Sequence, residues 1–144
     1  MILRKLQEEL KKIENIKETV IRMREISKFE KELPMKLKKY KNELVDLTTT
    51  DNTTIYTTPA SSRAIIKSIL VSEDAGSGST ITFTITNAAS AVFNLFKDKA
   101  IASKATTELL THPLILEENE VLKAQAADAN ELHVIASILE ISRD

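Results

Sequence analysis

The sequence predicts a mainly β protein, an antiparallel jelly-roll-like β-sandwich of about eight short strands preceded by an α-helical segment. Three observations predict it. Residues 2–47 contain no glycine and are filled mostly by Leu, Lys, Glu, Ile and Arg, good helix formers for the most part. From Thr53 the apolar period changes from three-four to two. Turn signals then recur about every ten residues, the spacing of a sandwich or barrel.

The helical segment comes first. Leu3, Leu6, Leu10 and Ile13 follow the alternating three-four spacing of a coiled-coil seam. Ile13, Ile16, Val20, Met23, Ile26 and Phe29 then stand mostly three apart, so the stripe drifts around the helix. Ser27-Lys-Phe-Glu30 has the form of a capping box, and Pro34 removes a helical hydrogen bond. The expectation is a helix kinked or broken near residues 27–34, with a second, shorter helix carrying Leu37, Tyr40, Leu44 and Leu47. A stripe of this length needs cover. A helix from another copy is the simplest cover, which points to a homo-oligomer held by a short coiled coil or bundle. Leu3, Leu6, Leu10, Ile13, Val20, Leu37 and Leu44 are the candidate contact residues. Residues 1–50 are read as a helical anchoring and oligomerisation segment, and residues 51–144 as the sandwich domain.

The strands follow in order. Thr53–Thr58 ends at Pro59, which suits a strand end. Arg63–Glu73 is a long, largely β-branched run. The loop after it holds both glycines of the protein, Gly76 and Gly78. Thr80–Thr86 alternates strictly, with Ile81, Phe83 and Ile85 on one side and threonines on the other. Val92–Phe96 is the next strand; Lys97–Lys104 is open between a short strand and an irregular crossing. Thr106–Leu110 and Leu114–Leu116 flank His112-Pro113. Val121–Ala126 and Leu132–Ile141 close the set. The last strand is apolar on both alternating sets, so it is central or covered on its second face.

Charge and motifs exclude several functions. Residues 1–47 carry 13 Lys and Arg against 9 Asp and Glu, and the remainder 7 against 12. A mildly basic segment with Glu throughout, joined to an acidic domain with few aromatics, is no nucleic-acid footprint. The densest basic stretch, MKLKKYKNE, reads as a solvated helix face, with docking onto an acidic partner as the functional alternative. There is no cysteine, hence no disulfide scaffold, thiolate metal site or cysteine nucleophile. No apolar run is long enough for a membrane span. The opening MILRKLQEELKK lacks the apolar core of a secretory signal, so the expectation is a protein made in a cytoplasm. No phosphate-loop, dinucleotide, zincin or serine-hydrolase motif occurs. Gly76-Ser77-Gly78 opens no helix and is a weak phosphate cradle. His112 reads as a surface turn residue and His133 as an exposed or interface residue. Glu117, Glu118 and Glu120 share one turn with Asn119, and approach of Asp74 or Asp98 to it would be the one route to a paired carboxylate site. The expectation is a protein without enzyme activity, metal or cofactor.

The second part of the chain carries a resemblance. The stretch TIYTTPASSRAIIKSILVSEDAGSGSTITFTI has a Tyr-Thr-x-Pro-Ala turn, a β-branched strand, a polar loop and an alternating Thr-rich strand. LLTHPLILEENEVLKAQAADANELHVIASILEISRD adds a Pro-Leu-x-Leu strand, an acidic turn, a Val-Leu-Lys-x-Gln-Ala strand and a terminal strand. Together they resemble small tailed-bacteriophage virion structural proteins over residues 53–143. The acidic turn departs from the pattern, with Glu118-Asn119-Glu120 where Gly-Asp is expected; Asn119 can still adopt the left-handed conformation. The resemblance implies a virion component, made in the host cytoplasm: a capsid decoration or head-fibre protein, commonly a homotrimer, bound to a major capsid or neck protein. The alternatives are a tail or neck attachment protein and a receptor- or saccharide-binding module, the latter disfavoured because Tyr56, Phe83, Phe93 and Phe96 read mostly as core.

Overall fold

The computed structural model describes the backbone of residues 2–32 and 37–143, and the side chains outside residues 26–36. The chain forms two compact units, Met1–Met35 and Lys36–Asp144. The first is a helix, α1 (Ile2–Glu32). At about 1.5 Å per residue it is roughly 46 Å long. It runs unbroken through Ser27–Glu30, so no new helix starts there. A capping box acts where the preceding chain leaves the helical region, and Ile16–Ile26 gives it no reason to leave. Pro34, where the break was expected, lies outside the described residues.

Among the described residues the second unit contains nine strands: β1 (Leu37–Leu47), β2 (Thr53–Thr57), β3 (Ser62–Glu73), β4 (Ser79–Thr86), β5 (Val92–Ile101), β6 (Thr106–Glu108), β7 (Leu114–Leu116), β8 (Val121–Ala126) and β9 (Leu132–Ser142). They make two antiparallel sheets. One has the order β1-β9-β3-β6, with β7 also paired to β3; the other has the order β2-β8-β4-β5. β6 and β7 are two halves of one interrupted edge. β6 pairs with Leu70–Ser72 and β7 with Ala64–Ile66 of the same strand, and Leu109 N–H donates to Ile69 O between them at 2.9 Å. Pro113 has no N–H to continue that ladder. Counted this way there are four strands per sheet in jelly-roll connectivity, as the sequence predicts.

The expected second helix is corrected: Leu37–Leu47 is a strand. Its residues pair one to one with β9, from Leu37 opposite Ser142 to Leu47 opposite Leu132. The three-four spacing of Leu37, Tyr40, Leu44 and Leu47 fits a helix, but tertiary demand overrides it. β9 needs hydrogen-bonding partners on both sides, and β3 supplies only one of them. The helical unit therefore ends before residue 37, not near residue 50. β5 likewise continues past Phe96 to Ile101, with ladder irregularities opposite Ile81–Thr84.

The core lies between the sheets. Ile66, Ile69 and Val71 of β3 and Val134, Ala136 and Ile138 of β9 pack from one side. Ile81 and Phe83 of β4 and Leu122 and Ala124 of β8 pack from the other. Alternation of side chains along each strand puts these residues inward, and all are essentially inaccessible to water. Phe83 is the largest fully buried side chain. Replacing Phe83 by Ala is expected to cost about 3–5 kcal/mol, read as a lowered denaturation midpoint. Phe93→Ala, at a ring 58% exposed, is expected to cost less than half as much in the same titration.

Candidate functional site

The candidate contact residues fall into two groups. Leu3, Leu6, Leu10, Ile13 and Val20 lie on α1, and each is 40–71% exposed. Ile2, Ile16, Ile21 and Met23 on the same helix are exposed as well. At 100° per residue, the line from Leu3 through Leu10, Ile13, Ile16 and Val20 to Met23 sweeps about 160° around the helix. A period shorter than 3.6 makes a partner helix wrap left-handedly. Leu37 and Leu44 do not continue this line. They stand on β1, and their odd spacing puts them on opposite faces of the sheet. Leu44, 73% exposed, is on the outer face.

The polar groups that sequence reading weighed for chemistry are committed to structure. Glu73 is 1% exposed at the end of β3. Its Oε1 accepts the N–H of Gly76 at 2.8 Å. Its Oε2 accepts the N–H of Lys104 at 2.9 Å and of Gly78 at 3.2 Å. The N–H groups of the glycine loop thus cradle an anion, and the anion is the chain's own carboxylate. Gly76 and Gly78 sit at φ of 89° and 72°, the left-handed region that favours glycine. Burial alone pushes the Glu73 carboxyl up; the N–H donors, Lys104 first, outweigh it and hold the group below its ordinary value.

Glu140 is the second buried carboxylate, facing inward on β9 at 5% exposure. Tyr56 Oη donates to its Oε2 at 2.6 Å, and Lys41 Nζ of β1 lies 3.1 Å from the same oxygen. Burial opposes ionisation, and the Tyr56 hydroxyl and Lys41 ammonium overcome it, so this carboxyl also lies below its ordinary value. The Tyr56 hydroxyl is pushed well above its ordinary range, by burial first and then by the carboxylate beside it. This cluster ties β1 to β9 and β2 across the edge of the sandwich.

The remaining acids do not converge. Glu120 Oε1 accepts the Glu117 N–H at 2.7 Å within the turn, and Glu118 pairs with Arg143 at 2.9 Å. Asn119 takes a φ of 63°, the left-handed conformation foreseen for it. Asp98 accepts from Thr82 Oγ1 at 3.4 Å. Asp74 lies 3.7 Å from His133, whose other ring nitrogen is 3.3 Å from Asp46. His112 is exposed in its turn. Among the described residues no three His, Cys, Asp or Glu side chains are grouped to hold a metal ion. No described helix is long and apolar enough to cross a membrane.

Comparison with known proteins gives the fold a relative. No family model and no curated protein matches the sequence. Among solved structures, a chain from Bacillus endospore appendages, described as a novel family of disulfide-linked pili, superposes with a TM-score of 0.50. The two are 11% identical, over 78% of this chain and 94% of that one. At this identity the likeness is one of fold. A pentameric capsid protein isolated from metagenomic phage sequences matches at a TM-score of 0.40 and 17% identity, over 69% of this chain and 58% of its own. A chain of the cyanophage Pam1 capsid asymmetric unit matches at 0.37 and 19%, over 74% of this chain and 84% of its own.

The carboxylate cradles set the acid response. A carboxyl held below its unfolded value stabilises the fold fully above that value and loses its contribution as pH falls through the lower folded value. Stability is therefore expected to hold from pH 7 to about 5 and to fall below that. Glu73→Gln is expected to lower stability at pH 7 and to flatten the acid limb, in denaturant titrations at several pH values. Tyr56→Phe, which strips a donor from Glu140, is expected to cost about 1–3 kcal/mol at pH 7.

Proposed function

We propose that this chain is a non-enzymatic structural component of a bacteriophage particle, a capsid decoration or head-fibre protein that attaches through α1 and associates with copies of itself. The observation that carries the reading is the apolar line on α1, from Leu3 at 71% exposure to Val20 at 40%. A 31-residue helix with that much apolar surface in water is stabilised only by a partner. The sandwich does not depend on it, because it has its own closed core. The phage setting rests on the sequence resemblance over residues 53–143, whose strands and turns form the sandwich that it implies.

The mechanism is burial of apolar area with shape complementarity. Leu3, Leu6, Leu10, Ile13 and Val20 carry the contact, between three copies or against a major capsid or neck protein. The pilus protein of similar fold is described as disulfide-linked. This chain has no cysteine, so its copies associate non-covalently. Leu37 and Leu44 leave this contact set because they belong to β1.

Light-scattering mass of the full chain tests the reading. The expected mass is a multiple of three chains, and Leu10→Lys with Ile13→Lys is expected to lower it threefold with the β circular dichroism unchanged. A chain lacking residues 2–32 is expected not to co-purify with particles. A full chain that stays monomeric at tens of micromolar and a truncated chain that still joins the particle would together sink it.

A further inference from the structure

The outer face of the β1-β9-β3 sheet is a second apolar surface, independent of α1. Residues directly opposite in an antiparallel ladder share a face, so the registers define it. Tyr40 stands opposite Leu139, which stands opposite Ile65. Leu44 stands opposite Ile135, which stands opposite Leu70. Between these two apolar rows runs a polar row, Asn42, Ser137 and Ser68. Beyond the first row lie Lys38 and Arg63, flanking Ile141; beyond the second lie Asp46 and Ser72, flanking His133. Tyr40 and Leu44 are 77% and 73% exposed, whereas Leu139 beside Tyr40 is 9% exposed and Lys67 Nζ stands 5.3 Å from the Tyr40 ring centroid.

The face is complementary to itself. Along β1, Tyr40 and Leu44 are each two residues from Asn42, and Lys38 and Asp46 are each four residues from it, with opposite charge. β9 repeats the symmetry about Ser137, with Leu139 and Ile135 on either side. A half-turn about the line through Asn42 and Ser137 lays Tyr40 on Leu44 of a second copy, Leu139 on Ile135, Ile65 on Leu70 and Lys38 on Asp46. A lipid surface offers nothing to Asp46, and an unrelated protein would not need the reversal of charge along the strand. We infer that this face binds the same face of a second copy, with a two-fold axis along the polar row and strands antiparallel across the interface. Three strands about 4.8 Å apart and nine residues of about 3.4 Å give a footprint of roughly 440 Å², about half the ~800 Å² a side of a standard interface and the size of a weak, reversible dimer contact.

The chain's lack of cysteine makes the test direct. Facing sheets stand about 10 Å apart, too far for a disulfide at this position, so a short bis-maleimide is the probe. Asn42→Cys in the full chain is expected to cross-link to a dimer, as is Ser137→Cys on the same line. Gln125→Cys, on the exposed face of the other sheet, is the control and is expected to stay uncross-linked. Lys38→Asp and Asp46→Lys, each added singly to Asn42→Cys, bring like charges together and are expected to cut the yield at least about tenfold. Mixing those two variants restores both attractive pairs in one heterodimer and is expected to restore the yield. Equal yields at positions 42 and 125, no cross-link at 42 or 137, or a yield indifferent to both charge changes overturns the inference. Leu10→Cys in the same assay reports α1 association separately, so either contact can fail without the other.

Discussion

β9 is hydrogen-bonded along its whole length on both sides, and the architecture of the sandwich follows from that. It pairs with β1 from Leu132 to Ser142 on one edge and with β3 over the same residues on the other. A strand so placed must be apolar toward the core, and Leu132, Val134, Ala136 and Ile138 are. It also holds a charged residue inside, Glu140, which is tolerated only because Tyr56 and Lys41 neutralise and solvate it in place of water. That cluster recruits one side chain from β1 and one from β2. The same strand therefore closes its own sheet and links it to the other.

The sandwich was largely legible because its signals are local. Ile81, Phe83 and Ile85 against four threonines can form only a half-buried strand, and the two glycines mark a loop whose positive φ values require them. Jelly-roll connectivity follows from the number and spacing of such segments. β1 was not legible. Its six charged or amide positions, set among Leu37, Tyr40, Leu44, Val45 and Leu47, satisfy a helical pattern as well as a strand. Lys39 and Lys41 occupy inward positions that alternation alone would reserve for apolar residues. The signal that could have found it lies elsewhere in the chain: β9 is apolar on both sets, and a central strand needs a second neighbour.

The exposed apolar residues divide along the same line. Leu3 to Val20 are legible as a stripe because a helix displays it in sequence. Tyr40, Ile135 and Leu139 were passed over because a sheet face is assembled from strands far apart in the chain, and only register brings them together. The Glu73 cradle was hidden for a related reason. Gly76 and Gly78 invited an anion from outside, while the carboxylate that fills the cradle stands three residues earlier, and a third donor comes from Lys104 in a different loop.

The register of β1 on β9 also gives the sandwich a polarity. Leu37 lies opposite Ser142, so the start of β1 and the end of β9 share one end. The segments after β1, β3, β5 and β8 gather at the other. There Asn130 N–H reaches Leu47 O, Asp74 N–H reaches Glu131 O and Glu73 N–H reaches Ala105 O, while Ser77 binds Glu131 and Ser79 binds Asp128. Four loops stitched together in this way form a stiff tip rather than loose ends. The loops at that end are held by one another, so a change in any one of them is passed to its neighbours and to the buried Glu73 beneath them.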